Sequence, residues 1–98
     1  MAGVPDFSTG SKIGIGTSAV PITSRQTNAS RGVQILASTS NTVSVYIGPR
    51  GVTAGTSSAD TDGYPLAAGE AVVVPVIEPN KIYAITTTST ASISFMLV

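Results

Sequence analysis

The sequence predicts an all-β fold, an antiparallel β-sandwich or jelly-roll-like barrel of about seven or eight short strands. Three observations predict it. Apolar and polar side chains alternate with a period of two in several short runs, as in strands with one buried face. Clusters of Gly, Pro, Asn and Asp punctuate those runs at roughly ten-residue spacing, where turns would reverse the chain. No stretch repeats apolar residues at the ~3.6-residue period of an amphipathic helix.

Residues 1 to about 18 (MAGVPDFSTGSKIGIGTS) hold neither period and are rich in Gly and Ser. They are expected to form an extended arm, leaving 19–98 as the β-sandwich domain. The glycines disfavour a self-supporting strand. Val4, Phe7, Ile13 and Ile15 supply apolar surface with which the arm would dock on a partner.

Val20-Pro21-Ile22-Thr23 predicts a short edge strand, because Pro lacks the N–H that a central strand needs. In RGVQILAST, Val33, Ile35 and Ala37 alternate with Gln34 and Leu36. Asn41-Thr42 signals a turn, after which Val43, Val45 and Ile47 share one face of VSVYI, and Ser44 and Tyr46 the other. Gly48-Pro49-Arg50-Gly51 is a tight turn by composition, with Val52-Thr53-Ala54 a further short strand. The segment Glu70 to Ile77 is apolar on both faces, Val72, Val74 and Val76 opposing Val73 and Ile77. That pattern belongs to a strand covered on both sides, in a sandwich core or at a subunit contact, so Val73 and Ile77 are candidate contact residues. Beyond the turn at Pro79-Asn80, Ile82 and Ala84 oppose Tyr83 and Ile85. In the last run, Ile93, Phe95 and Leu97 alternate with Ser92, Ser94 and Met96.

Composition narrows the function. A chain of 98 residues is one domain, able to bury a single core. Charged residues are 10% of the chain, against roughly 25% in an average soluble domain. Five basic residues balance five acidic ones, so the net charge is zero. Neither nucleic acid nor an anionic membrane surface is then an expected partner, since both require a basic field. A weakly charged surface of Ser, Thr, Gly and Ala suits faces that neighbours cover. No basic segment followed by an apolar stretch marks the start of the chain, so Sec-type export is not expected.

The residues that could carry chemistry are few. With no Cys and no His, thiolate chemistry, zinc–sulfur ligation and the usual base of a hydrolytic triad are excluded. Lys12 and Lys81 are the available amine bases, and each has a plainer role as a solvated lysine. Asp60, Asp62, Glu70 and Glu78 could form an acid–base pair, yet the chain has too few aromatics to line a sugar cleft. Asp60-Thr61-Asp62-Gly63 begins like a calcium loop. Aligning Gly63 with the loop's invariant glycine, however, puts Glu70 one residue past the position of the bidentate ligand. It is expected to be a turn, and no metal, cofactor or catalytic residue is expected.

Taken together, RGVQILAST, NTVSVYIG, GVTAG, DGYPLAAGEAVVVPV and NKIYAIT form a pattern that resembles small virion proteins of tailed bacteriophages. The closest resemblance is to the β-sandwich head-decoration (cement) proteins on the outside of phage capsids. It covers about half the chain. The resemblance implies a non-enzymatic structural protein on the outer capsid surface, made in the host cytoplasm and bound to the major capsid protein, where it bridges neighbouring capsomers. It also implies self-association, with a trimer expected before a dimer. The alternative is a small tail, baseplate or fibre-associated β domain that binds a ligand such as a carbohydrate, with Tyr46, Tyr64 and Tyr83 as its platform.

Overall fold

The structure, a computed structural model, describes residues 9–24, 29–55 and 60–98. Among the described residues eight strands follow one another: β1 (Thr9–Ile15), β2 (Val20–Pro21), β3 (Val33–Ala37), β4 (Val45–Gly48), β5 (Tyr64–Leu66), β6 (Ala71–Val74), β7 (Tyr83–Ile85) and β8 (Ala91–Leu97). A 3₁₀ turn at Pro79–Lys81 precedes β7. They form two four-stranded sheets, ordered β1-β8-β3-β6 and β2-β7-β4-β5. All strand pairs are antiparallel. Apart from β4 to β5, every connection passes from one sheet to the other. That winding is the double Greek key of a jelly roll, which satisfies the sandwich expectation and specifies its topology.

Period-two alternation builds the core between the sheets. From the first sheet, Val33, Ile35 and Ala37 of β3 and Ile93, Phe95 and Leu97 of β8 point inward, in register as Val33↔Leu97, Ile35↔Phe95 and Ala37↔Ile93. From the second, Val45, Ile47, Leu66 and Ala84 meet them. Each large aliphatic side chain buried in this way contributes about 1.5–3 kcal/mol.

Three expectations need correction. The first concerns the arm. Thr9–Ile15 is a strand hydrogen-bonded to β8, and Ile15 is completely buried in the core of its own subunit. Residues 1–8, with Val4 and Phe7, lie outside the described residues. A β-bulge hid this strand. Lys12 pairs with Ile93 and Ile15 with Ala91, so three steps along β1 match two along β8. Gly14 accommodates the extra residue at φ +70°, a conformation that L side chains rarely adopt. Lys12 and Ile15 therefore share the inward register although an odd spacing separates them, and a period-two reading fails.

Second, Tyr46 is not on an open face. It packs with Val52 and Ile85 in a small cluster on the outside of the second sheet. The loop after β4 folds back to cover that face, held by Thr53 N–H to the Thr61 carbonyl and Gly63 N–H to the Thr53 carbonyl, both 2.9 Å. Val52-Thr53-Ala54 contributes one isolated bridge, Thr53 to Asp62, rather than a strand. Third, the strand expected over Glu70 to Ile77 stops at Val74, opposite Val33 where β3 begins, and the Val76 N–H turns back to the Val74 carbonyl at 2.7 Å. The alternation nevertheless persists, with Val72, Val74 and Val76 packed against the core and Val73 and Ile77 exposed.

Candidate interaction surface

Outward residues of the first sheet make a face without charge. Gln34 and Leu36 of β3, Ser94 and Met96 of β8, Thr9 and Ser11 of β1, and Ala71 and Val73 of β6 alternate with the buried set. None is ionisable. Hydroxyl, amide and aliphatic groups alone cover the middle of a four-stranded sheet. A shallow depression of about 370 Å³ lies across it, lined by Thr9, Ser11, Gln34, Leu36, Ser94 and Met96. Such a face associates by shape and apolar contact, with little Coulombic steering.

The face continues onto β6, at one edge of the sheet. Val73 is 55% exposed and Ile77 48% exposed. Below β6, a groove of about 770 Å³ opens between the two sheets. Its floor and walls are Ile47, Val72, Val74, Val76 and Ile82, with Tyr64 and Tyr83 towards the rim and Arg50, Asn80 and Lys81 as polar groups. The groove exists because β5 and β6, joined by one turn, are the neighbouring edge strands of opposite sheets. That turn is closed twice by Glu70, whose N–H donates to the Ala67 carbonyl and whose Oε1 accepts from Ala67 N–H, each at 2.9 Å.

The expected contact residues thus separate. Val73 and Ile77 lie on the β6 side of the molecule, and Ile13, 74% exposed, lies on β1 at the opposite edge of the same sheet. Ile15 offers no surface to a partner. Sequence reasoning missed Leu36 and the groove. Leu36 did carry a signal, as an apolar residue in the outward phase of VQILA. The groove carried none, because it depends on which edge strands meet.

The groups considered for catalysis are dispersed or engaged locally. Asp62 Oδ1 accepts from Thr53 Oγ1 at 2.9 Å, and Glu70 is bound in its own turn. Lys81 and Glu78 form an exposed ion pair at 3.8 Å. Lys12 sits on edge strand β1. Of the proposed tyrosine platform, Tyr46 is buried on the outside of the second sheet, while Tyr64 and Tyr83 line the groove. Among the described residues, no group of three or more Asp and Glu side chains is placed to hold a metal ion. No helix of the described residues is long and apolar enough to cross a membrane. In comparisons with known proteins, no family model, no curated protein and no solved structure matches the chain.

Proposed function

We propose that this protein is a virion structural component, a head-decoration subunit that binds the outer surface of a phage capsid and bridges neighbouring capsomers. One observation carries the reading: a charge-free, four-stranded sheet face with the exposed Val73 at its β6 edge and the exposed Ile77 three residues beyond that strand. Such a surface gains by being covered and has no evident use when left in water. Cementing needs many modest contacts that add up by multivalency, and no active site. The jelly-roll topology is compatible with this role, since the architecture recurs in viral capsid domains, although fold alone does not assign function. The test is co-sedimentation with capsids stripped of decoration. Wild-type protein should saturate the particles and raise their resistance to heat, and Leu36→Lys with Met96→Lys should reduce occupancy at least ~10-fold while the circular dichroism spectrum is retained. Equal occupancy for the variant would overturn the assignment of this face.

A second reading is favoured by the groove itself. Tyr64 and Tyr83 beside Arg50, Asn80 and Lys81 combine aromatic surface with polar groups, as a ligand-binding module on a tail or fibre would need. Glycan titrations followed by the tyrosine resonances distinguish the two. Saturable shifts confined to Tyr64 and Tyr83 would favour the binding module.

A further inference from the structure

The two sheets have four edges, and they are not equally protected. Strand β1 carries Lys12 in an inward register and a bulge beside it, two devices that discourage a further strand from pairing. Strand β2 is two residues long and one of them is Pro21. Strand β5 has Pro65 at its centre. Strand β6, with the sequence AVVV, has no charge, no proline and no bulge.

Its free backbone groups can be identified. Ala37 N–H donates to the Glu70 carbonyl, so the odd-numbered residues of β3 turn their backbone toward β6. The pairs Val33↔Val74 and Ile35↔Val72 then exchange hydrogen bonds, and the N–H and C=O of Ala71 and Val73 point away from the sheet. Among the described residues, no hydrogen bond reaches them from that side.

We infer that a second copy of this chain pairs with β6, strand against strand, about a two-fold axis at Val72. The backbone is self-complementary there. In the antiparallel register that sets Ala71 opposite Val73 of the second copy, every outward N–H of one strand meets an outward C=O of the other. Glu70 falls opposite Val74 of the second copy, so the two carboxylates are kept apart and no like charges meet. An axis perpendicular to the sheet keeps both inner faces on the same side. The first sheets merge into one of eight strands, and the two apolar grooves come to lie side by side. An antiparallel pairing of identical strands closes on itself, which makes the particle a dimer rather than the trimer first expected. This inference goes beyond the capsid-binding reading above. It is tested on the purified protein alone, so its failure is separable from failure to bind capsids.

Sedimentation equilibrium at tens of micromolar should give about twice the 9.8 kDa chain mass. Val73→Pro removes an outward N–H while leaving the bonds to β3 intact, and should give the monomer mass with an unchanged β spectrum. Hydrogen exchange on the wild type supplies a readout that needs no variant. The Ala71 and Val73 amides should be protected at high concentration and lose that protection on dilution, whereas the Val72 and Val74 amides stay protected throughout. A wild-type monomer or trimer at these concentrations overturns the inference. So does a dimer in which the Ala71 and Val73 amides exchange freely.

Discussion

Asn41 holds Ser92 by both ends of its side-chain amide. Nδ2 donates to the Ser92 carbonyl and Oδ1 accepts from the Ser92 N–H, each at 2.9 Å, across 51 residues of chain. Ser92 stands one residue past the last β3 pair, Ala37↔Ile93, and opposite the β1 bulge. Ser38 N–H also reaches the Ser92 carbonyl, at 3.0 Å. Asn41 thus replaces a strand with a side chain that presents one donor and one acceptor in the spacing of a peptide group. Asn41→Ala should destabilise the fold by about 1–3 kcal/mol, because both backbone groups of Ser92 lose a partner. Asn41→Asp should be no better, since a carboxylate cannot donate and would face the carbonyl oxygen. Urea midpoints measure both, and an unchanged midpoint for Asn41→Ala would show that the pair contributes nothing.

Ile13 and Ile15, two residues apart, should respond in opposite ways to truncation. Ile15→Ala deletes a fully buried side chain and should cost about 2–5 kcal/mol. Ile13→Ala removes a side chain that is mostly in water and should stay within about 0.5 kcal/mol. Thermal melts of the two variants separate a core strand from a detachable arm. Similar, small effects for both would restore the arm.

Gly32 has no freedom to be anything else. A Cβ there would lie 2.5 Å from the Val74 carbonyl oxygen and 3.2 Å from the Pro75 Cα, both backbone atoms that cannot swing aside. Gly32→Ala must therefore push the end of β6 away from β3. We expect a loss of about 1–3 kcal/mol, with faster exchange of the Val74 amide. Full stability in this variant would mean that the β6 end is softer than its contacts imply.

Calcium should leave the protein unchanged. Asp62 is engaged with Thr53, and Glu70 with Ala67, in separate turns. Melting curves in EDTA and in millimolar calcium are expected to superimpose. A calcium-dependent rise of several degrees would instead place a cation among these carboxylates.

Fold class and most of the core are legible in the order of the residues alone. In VQILA and the last run one phase is wholly apolar and the other mostly polar, and such a period-two pattern leaves little choice about which side is buried. Val33, Ile35, Ile93, Phe95 and Leu97 were legible for that reason. Val73 and Ile77 stood out as an apolar excess over what one buried face can absorb, a pattern that fitted either a core or a subunit contact, and the structure leaves both exposed. Tertiary structure alone decided the rest. The bulge at Gly14 broke the period that would have revealed β1 and moved Ile15 from docking surface to core. A loop folding back over the second sheet buried Tyr46, although its phase pointed outward. The groove and the unequal edges depend on which strands finish next to which, and that is set by the crossing connections between sheets. Local alternation reports which side of a strand is wet. It carries no information about strands that are distant in sequence, and the charge-free sheet face and the groove are built from those.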